Sequence, residues 1–168
     1  MMVEAVLLAD RVMVWDDEVA GVLQKEFYGK PAGGGLQLSL TESAYLLRKG
    51  RLHIVEPSKN ELTEEEFWKA AGAVQPDFDV RYRAYEDLRD RGLVVKTGFK
   101  YGAHFRVYAD PIEGHAKYLV HAVPPNFEST WPEISRAIRL AHSVKKEMLF
   151  AIVRDEAVDY VRIKRVTP

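Results

Sequence analysis

The spacing of apolar residues changes period along the chain, and each change marks an element. Val3–Leu8 and Arg11–Trp15 are apolar runs flanking Ala9-Asp10, the pattern of a β-hairpin. Asp16 is placed to cap a helix reaching about Phe27, with Val19, Val22 and Leu23 on one face. Tyr28–Gly35 reads as a loop on composition, and Leu36–Leu40 alternates like a half-buried strand. Thr41 opens a helix through Leu47 that ends near Gly50, and Arg51–Val55 returns to strand. Leu62 to about Ala71 is a helix with a Thr63-to-Glu66 capping box. Gly72–Pro76 marks a boundary, dividing the chain into domains 1–72 and 76–168.

The second half is more sharply punctuated. Asp77–Arg91 is a helix that Gly92 can stop. Leu93–Lys96 is a strand, Thr97-Gly98 a turn and Phe99–Tyr101 a short extension. In the strand His104–Tyr108, Phe105 and Val107 take one face and His104, Arg106 and Tyr108 the other. After a loop at Asp110–Gly114, the strand Tyr118–Val123 runs into Pro124-Pro125. Thr130 and Glu133 form a capping box opening a helix to about Lys146, with the apolar stripe Ile134, Ala137, Ile138, Ala141 and Val144. Met148–Val153 and Val158–Ile163 are strands joined by an acidic turn. Strands and helices alternate, without the regularity that would require a doubly wound sheet.

Composition narrows the functional classes. The 168 residues suffice for one full core or two small ones. No apolar run approaches the roughly 18 residues of a membrane span, and Met1–Asp10 lacks the basic start of a signal peptide. A cytoplasmic protein is expected. The absence of cysteine excludes disulfides, thiolate metal sites and cysteine nucleophiles. Net charge is −1, yet it is unevenly spread. Residues 1–75 carry 8 basic and 12 acidic side chains, and the remainder 16 and 13. An RNA backbone would favour the second half.

Candidate chemistry concentrates there. Ser135, Arg139, His142 and Lys146 recur at i, i+4, i+7 and i+11, opposite the apolar stripe. On pattern alone this is a solvated basic face. His115, in a loop after Gly114, is suited to general-acid work because imidazole titrates near neutrality. The five histidines are not spaced with carboxylates as a metal site, so no metal and no other cofactor is expected. The triple glycine Gly33–Gly35 has neither the preceding strand nor the following Gly-Lys-Ser of a phosphate loop.

Three segments carry a family resemblance: Tyr85–Tyr108 (through Gly92-Leu93-Val94-Val95-Lys96-Thr97-Gly98 and Phe105-Arg106-Val107-Tyr108), Gly114-His115-Ala116-Lys117-Tyr118-Leu119-Val120, and Arg139-Leu140-Ala141-His142-Ser143-Val144-Lys145-Lys146. Together they resemble the archaeal tRNA-intron (splicing) endonucleases, in family order. Tyr28-Gly29-Lys30-Pro31 and Leu38–Leu46 extend the resemblance more loosely into the first half. It implies an α/β (α+β) protein with a small mixed N-terminal domain and a restriction-endonuclease-like α/β C-terminal domain. It further implies metal-free excision of introns from precursor tRNA at bulge–helix–bulge sites, leaving 2′,3′-cyclic phosphate and 5′-hydroxyl ends. The catalytic tyrosine, histidine and lysine map to Tyr108, His115 and Lys146, with Lys145 the alternative register. Arg139 matches one arginine of a pair that clamps a bulged base from a partner subunit, and Arg162 is the candidate for the other. The loop from Tyr108 to His115 is shorter than the family pattern leads one to expect.

The chemistry suits those residue types. A ribose 2′-hydroxyl attacks the adjacent phosphorus and the 5′-oxygen leaves, which calls for a base, an acid and positive charge at the equatorial oxygens. Free phenols ionise near pH 10, so Tyr108 either relies on a neighbouring cation such as Lys146 or only orients the hydroxyl. The resemblance also implies a tetramer, of four copies or of two copies with a related subunit, with Asp155, Glu156 and Asp159 in the region that docks onto a neighbour. The competing readings are a noncatalytic structural subunit, a nucleic-acid-binding module and a metal-dependent DNA nuclease. Retention of all three positions weighs against the first, the histidine and lysine in separate family motifs against the second, and the lack of carboxylates on the strand ending at Tyr108 against the third.

Overall fold

The computed structural model describes residues 2–168, and Met1 lies outside the described residues. The chain separates into two compact units, one ending at Tyr82 and the other comprising Arg83–Pro168. Each is a mixed α/β layer built on one five-stranded sheet. Among the described residues no helix is long and apolar enough to cross a membrane.

In the first unit β1 (Val3–Leu8) and β2 (Arg11–Val14) form the expected antiparallel hairpin. Asp16 caps α1 (Asp17–Lys25) by accepting from the Val19 N–H at 3.0 Å. The stretch expected to be a loop instead contains β3 (Lys30–Ala32), paired with β4 (Gly35–Leu38). The reason is the turn between them. Gly33 and Gly34 have φ of 56° and 81°, the left-handed pair that a two-residue hairpin turn demands. Next, α2 (Leu40–Arg48) starts earlier than expected, because Ser39 rather than Thr41 is the cap. Glu42 completes that capping box from the Ser39 N–H at 2.9 Å, and its other oxygen accepts from Gly29 N–H at 3.1 Å. This buried carboxylate is therefore fully employed. Then β5 (Leu52–Val55) pairs in parallel with β1, giving the order β3-β4-β2-β1-β5. Thr63 and Glu66 make the predicted reciprocal capping box of α3 (Glu64–Val74).

The helix α4 (Phe78–Asp90) is followed by Gly92 at φ 86°, the left-handed stop read from the sequence. The second sheet has the order β10-β9-β8-β7-β6. Its strands are β6 (Val94–Thr97), β7 (Phe105–Tyr108), β8 (Tyr118–Val123), β9 (Glu147–Val153) and β10 (Val158–Ile163). Only the β8–β9 pair is parallel, and it is bridged by α5 (Trp131–Ser143). The apolar stripe of α5 covers one face of the sheet, packing Ile134, Ala137 and Ala141 against Leu119, Met148 and Phe150. On the other face, Tyr85 of α4 meets Phe105 at 5.8 Å, and the Tyr160 hydroxyl donates to Asp87 at 2.6 Å.

Three local expectations change in this unit. Phe99–Tyr101 is a one-turn 3₁₀ helix, not an extension of the strand. Thr130 does cap α5, but the Glu133 carboxylate accepts from the Ser129 hydroxyl at 2.8 Å. Most consequentially, α5 stops at Ser143 and does not reach Lys146. Lys145 takes φ 58°, its N–H donates to His142 O, and the Lys146 N–H donates to Ala141 O at 2.8 Å. That is a Schellman motif whose left-handed position is filled by lysine where glycine is usual.

Candidate active site

Strand register brings Tyr108 and Lys146 to one end of the second sheet, where the loop carrying His115 enters β8. Val107 of β7 pairs with Tyr118 of β8, and Tyr118 pairs with Glu147 of β9. The C-terminal end of β7 therefore lies beside the N-terminal starts of β8 and β9. Two hydrogen bonds tie this corner together: Lys117 N–H to Val107 O and Glu147 N–H to Lys117 O, both 2.9 Å. Extending the ladders by one residue sets Tyr108, Lys117 and Lys146 in a row. The outer two backbones are then about 10 Å apart, two interstrand spacings.

The face of the sheet follows from alternation. Arg106, Leu119 and Met148 occupy one row, and Leu119 and Met148 lie under α5. Tyr108, Lys117 and Lys146 are each two residues from that row, so they share the α5 face. Tyr108 and Lys146 are half-buried, while Lys117 is exposed. The cation beside the Tyr108 ring is Arg106, whose guanidinium carbon is 5.8 Å from its centroid. Lys146 Nζ lies 5.4 Å from the ring centroid of Tyr101.

His115 projects from the loop that precedes β8. Asp110 accepts from the Ile112 N–H at 3.0 Å, opening the one-turn helix Pro111–Glu113, which Gly114 ends at φ 73°. His115 is exposed, yet the next residue, Ala116, is buried and anchors the loop to the sheet. A short, capped loop so holds an accessible imidazole at the same corner as Tyr108 and Lys146.

The two arginines read from the sequence are not brought together. Arg139 lines a surface hollow of about 280 Å³ on α5 with Trp131, Ser135 and Arg165. Arg162 sits on the opposite face of the sheet, where it donates to Glu147 at 2.9 Å. It is Arg165 that shares the Arg139 hollow, and Arg165 also lines an adjoining hollow with His142, Lys146 and Lys164. In the acidic turn, Asp159 is engaged by Arg154 at 2.6 Å, and Asp155 offers its backbone carbonyl to Arg83. Sequence reasoning missed Tyr101, Lys117 and Arg165. Only Lys117 had a usable signal, since alternation from Leu119 assigns it to the α5 face.

Comparison with known proteins finds matches over both units. The sequence profile of the tRNA intron endonuclease catalytic C-terminal domain matches residues 78–160, and that of the tRNA intron endonuclease N-terminal domain matches residues 3–68. A tRNA-splicing endonuclease of Methanococcoides burtonii is 48% identical over 97% of this chain and 48% of its own length. One of Methanosarcina acetivorans is 44% identical with the same coverage. The chain thus spans about half the length of these relatives. A tRNA-splicing endonuclease of Thermococcus kodakarensis is 41% identical over 95% of this chain and 96% of its own.

Proposed function

The chain belongs to the tRNA intron endonuclease family, and from that premise we propose that it is a catalytic splicing endoribonuclease acting on precursor tRNA in the cytoplasm. The observation that carries this reading is the corner where the ends of β7, β8 and β9 meet, with Tyr108, His115 and Lys146 around it. The division into domains 1–72 and 76–168 assigns all three to the second.

In this reading the ribose 2′-hydroxyl attacks the adjacent phosphorus. A P–O bond forms to O2′ and the P–O5′ bond breaks. The products are a 2′,3′-cyclic phosphate and a 5′-hydroxyl. Tyr108 accepts the proton of the attacking 2′-hydroxyl or orients that hydroxyl, and His115 gives a proton to the leaving oxygen. Lys146 places positive charge at the equatorial oxygens, where most of the negative charge develops in the transition state. The step is proposed to need no metal.

The substrate proposed is a bulge–helix–bulge RNA. Arg139 supplies one side of a clamp for a bulged base, since a guanidinium plane stacks on an unstacked base. Arg162 or Arg165 supplies the other, and the hollow shared with Arg139 favours Arg165. Excision needs two cuts, and so two such sites, at a fixed separation. A tetramer, of four copies or of two with a related subunit, meets that need. The free edge of β10, paired only with β9 among the described residues, is the surface proposed to join two copies.

The test is cleavage of a bulge–helix–bulge RNA in the presence of chelator, with the product ends identified by mass. Two cuts with cyclic phosphate ends are expected. Binding without cleavage would instead identify a structural subunit, and cleavage abolished by chelator would overturn the metal-free mechanism.

A further inference from the structure

Lys146 reaches the site from a turn that does not hold its side chain. The Schellman motif fixes the backbone, but a lysine stem has several rotatable bonds beyond it. Among the described residues no ion pair is made to Lys146. The carboxylate next to it in sequence, Glu147, points to the opposite face and is bound by Arg162. What the ammonium does touch is an aromatic ring, with Nζ 5.4 Å from the centroid of Tyr101.

The Tyr101 ring is itself set in place. The turn carrying it folds back from the β6–β7 connection onto the α5 face, where Tyr101 packs against the core patch that contains Ala103, Leu119 and Met148. Its N–H donates to Gly98 O at 2.8 Å. A Cβ at Gly98 would lie 2.8 Å from the Phe105 carbonyl carbon and 2.9 Å from Ala103 O, so only glycine permits this close return. Lys100 Nζ stands 5.9 Å from the same ring, adding a second cation to the corner.

We propose that Tyr101 is a positioning residue that holds the Lys146 ammonium on the α5 face of this corner while leaving its charge intact. This rests on the function proposed above. A carboxylate partner would hold the ammonium more firmly but would cancel the charge that the phosphate must see. A ring attracts the cation through its quadrupole and neutralises nothing. The contact is also weak enough to yield when a phosphate arrives.

The experiment compares Tyr101→Leu, Tyr101→Phe and the same changes combined with Lys146→Ala, in the full chain. Single-turnover cleavage of bulge–helix–bulge RNA is measured beside RNA affinity, melting temperature and the proton shifts of the Lys146 ε-methylene. The expected result is that Tyr101→Leu slows cleavage by about 3- to 30-fold, the range of a cation–π contact. Affinity is expected to stay constant, and Tyr101→Phe to restore the rate. In the Lys146→Ala background Tyr101→Leu should have no further effect. The upfield ring-current shift of the Lys146 ε-protons should vanish in Tyr101→Leu and persist in Tyr101→Phe. Unchanged cleavage by Tyr101→Leu overturns the proposal. So does an equal loss with and without Lys146, or failure of phenylalanine to restore the rate. A wild-type chain that binds bulged RNA without cutting it overturns the underlying function and the positioning role with it. An absent ring-current shift in the wild type overturns the contact and the positioning role with it.

Discussion

Substituting Tyr160 by phenylalanine isolates the bond that ties β10 to α4 within the second unit. The Tyr160 hydroxyl donates to Asp87 Oδ2 at 2.6 Å, and Arg91 Nε donates to the same oxygen at 2.8 Å while its guanidinium carbon lies 5.4 Å from the Tyr160 ring centroid. Phenylalanine keeps the ring and its cation contact and removes only the hydroxyl. Asp87 keeps Arg91, so no charge is orphaned. A hydrogen bond to a charged group contributes about 1.5–3 kcal/mol. Tyr160 is only half-buried, and screening reduces the expected loss to about 1–2 kcal/mol. For a chain of this length about 1 kcal/mol lowers Tm by about 2–4 °C. Burial and the bond to Asp87 also raise the Tyr160 phenol well above its usual range. A raised pKa means that the unfolded chain loses this proton first as pH climbs. The stabilisation is thus complete below about pH 10, the ordinary phenol value, and declines above it. Urea melts of wild type and Tyr160→Phe between pH 7 and 11 test both parts. The two curves should differ by the stated amount at neutral pH and converge at alkaline pH. Equal stability at pH 7, or parallel losses above pH 10, would refute the reasoning.

The remaining expectations concern the corner and its surroundings. Lys145→Gly should relieve a left-handed lysine that costs about 1–2 kcal/mol. The extra freedom of unfolded glycine offsets part of that, leaving a small rise in Tm with cleavage retained; a fall in Tm would place the lysine side chain in an interaction of its own. Lys146→Ala should lower single-turnover cleavage by about 10²–10³-fold, the scale of one lost transition-state charge partner. His115→Ala should cost about 10²–10⁴-fold, partly recovered with an RNA whose leaving group is activated. Arg165→Ala should weaken bulged-RNA binding by about 1–3 kcal/mol, the value of one base stack, and Arg162→Ala by less. The reverse order, read by titration of a fluorescent bulged RNA, would return the second side of the clamp to Arg162.

Much of the fold could be read because its signals are local. The hairpin of β1 and β2, the Thr63–Glu66 box and the Gly92 stop each depend on a few adjacent residues, and each forms as expected. β3 escaped because Lys30-Pro31-Ala32 has no apolar alternation. Its strand character comes from β4, to which the Gly33-Gly34 turn returns it. The end of α5 escaped for a related reason. Its polar stripe continues in register from Arg139 to Lys146, and no glycine marks the stop. The chain turns out of the helix through a left-handed lysine, a conformation that no sequence period records.

That missed turn changes how Lys146 reaches the proposed site. As a continuation of the α5 stripe it would share a helix face with Arg139 and have no fixed relation to Tyr108. As the residue that leaves a Schellman motif, it is instead the first position before β9. The parallel pairing of β8 with β9 then fixes it beside Lys117, and the antiparallel pairing of β7 with β8 fixes Lys117 beside Tyr108. The corner therefore depends on α5 ending where it does. If the helix ran on to Lys146, β9 would begin later, and the lysine would lose its place in the row. Because β-register moves in steps of one residue and each step reverses a side chain's face, the helix stop and the face of Lys146 are a single structural decision. Inserting one alanine after Val144 tests this directly. The insertion should leave the second sheet folded but lower cleavage about as much as Lys146→Ala, because either change takes the ammonium out of the row; cleavage at the wild-type rate would refute the link between the helix stop and the site.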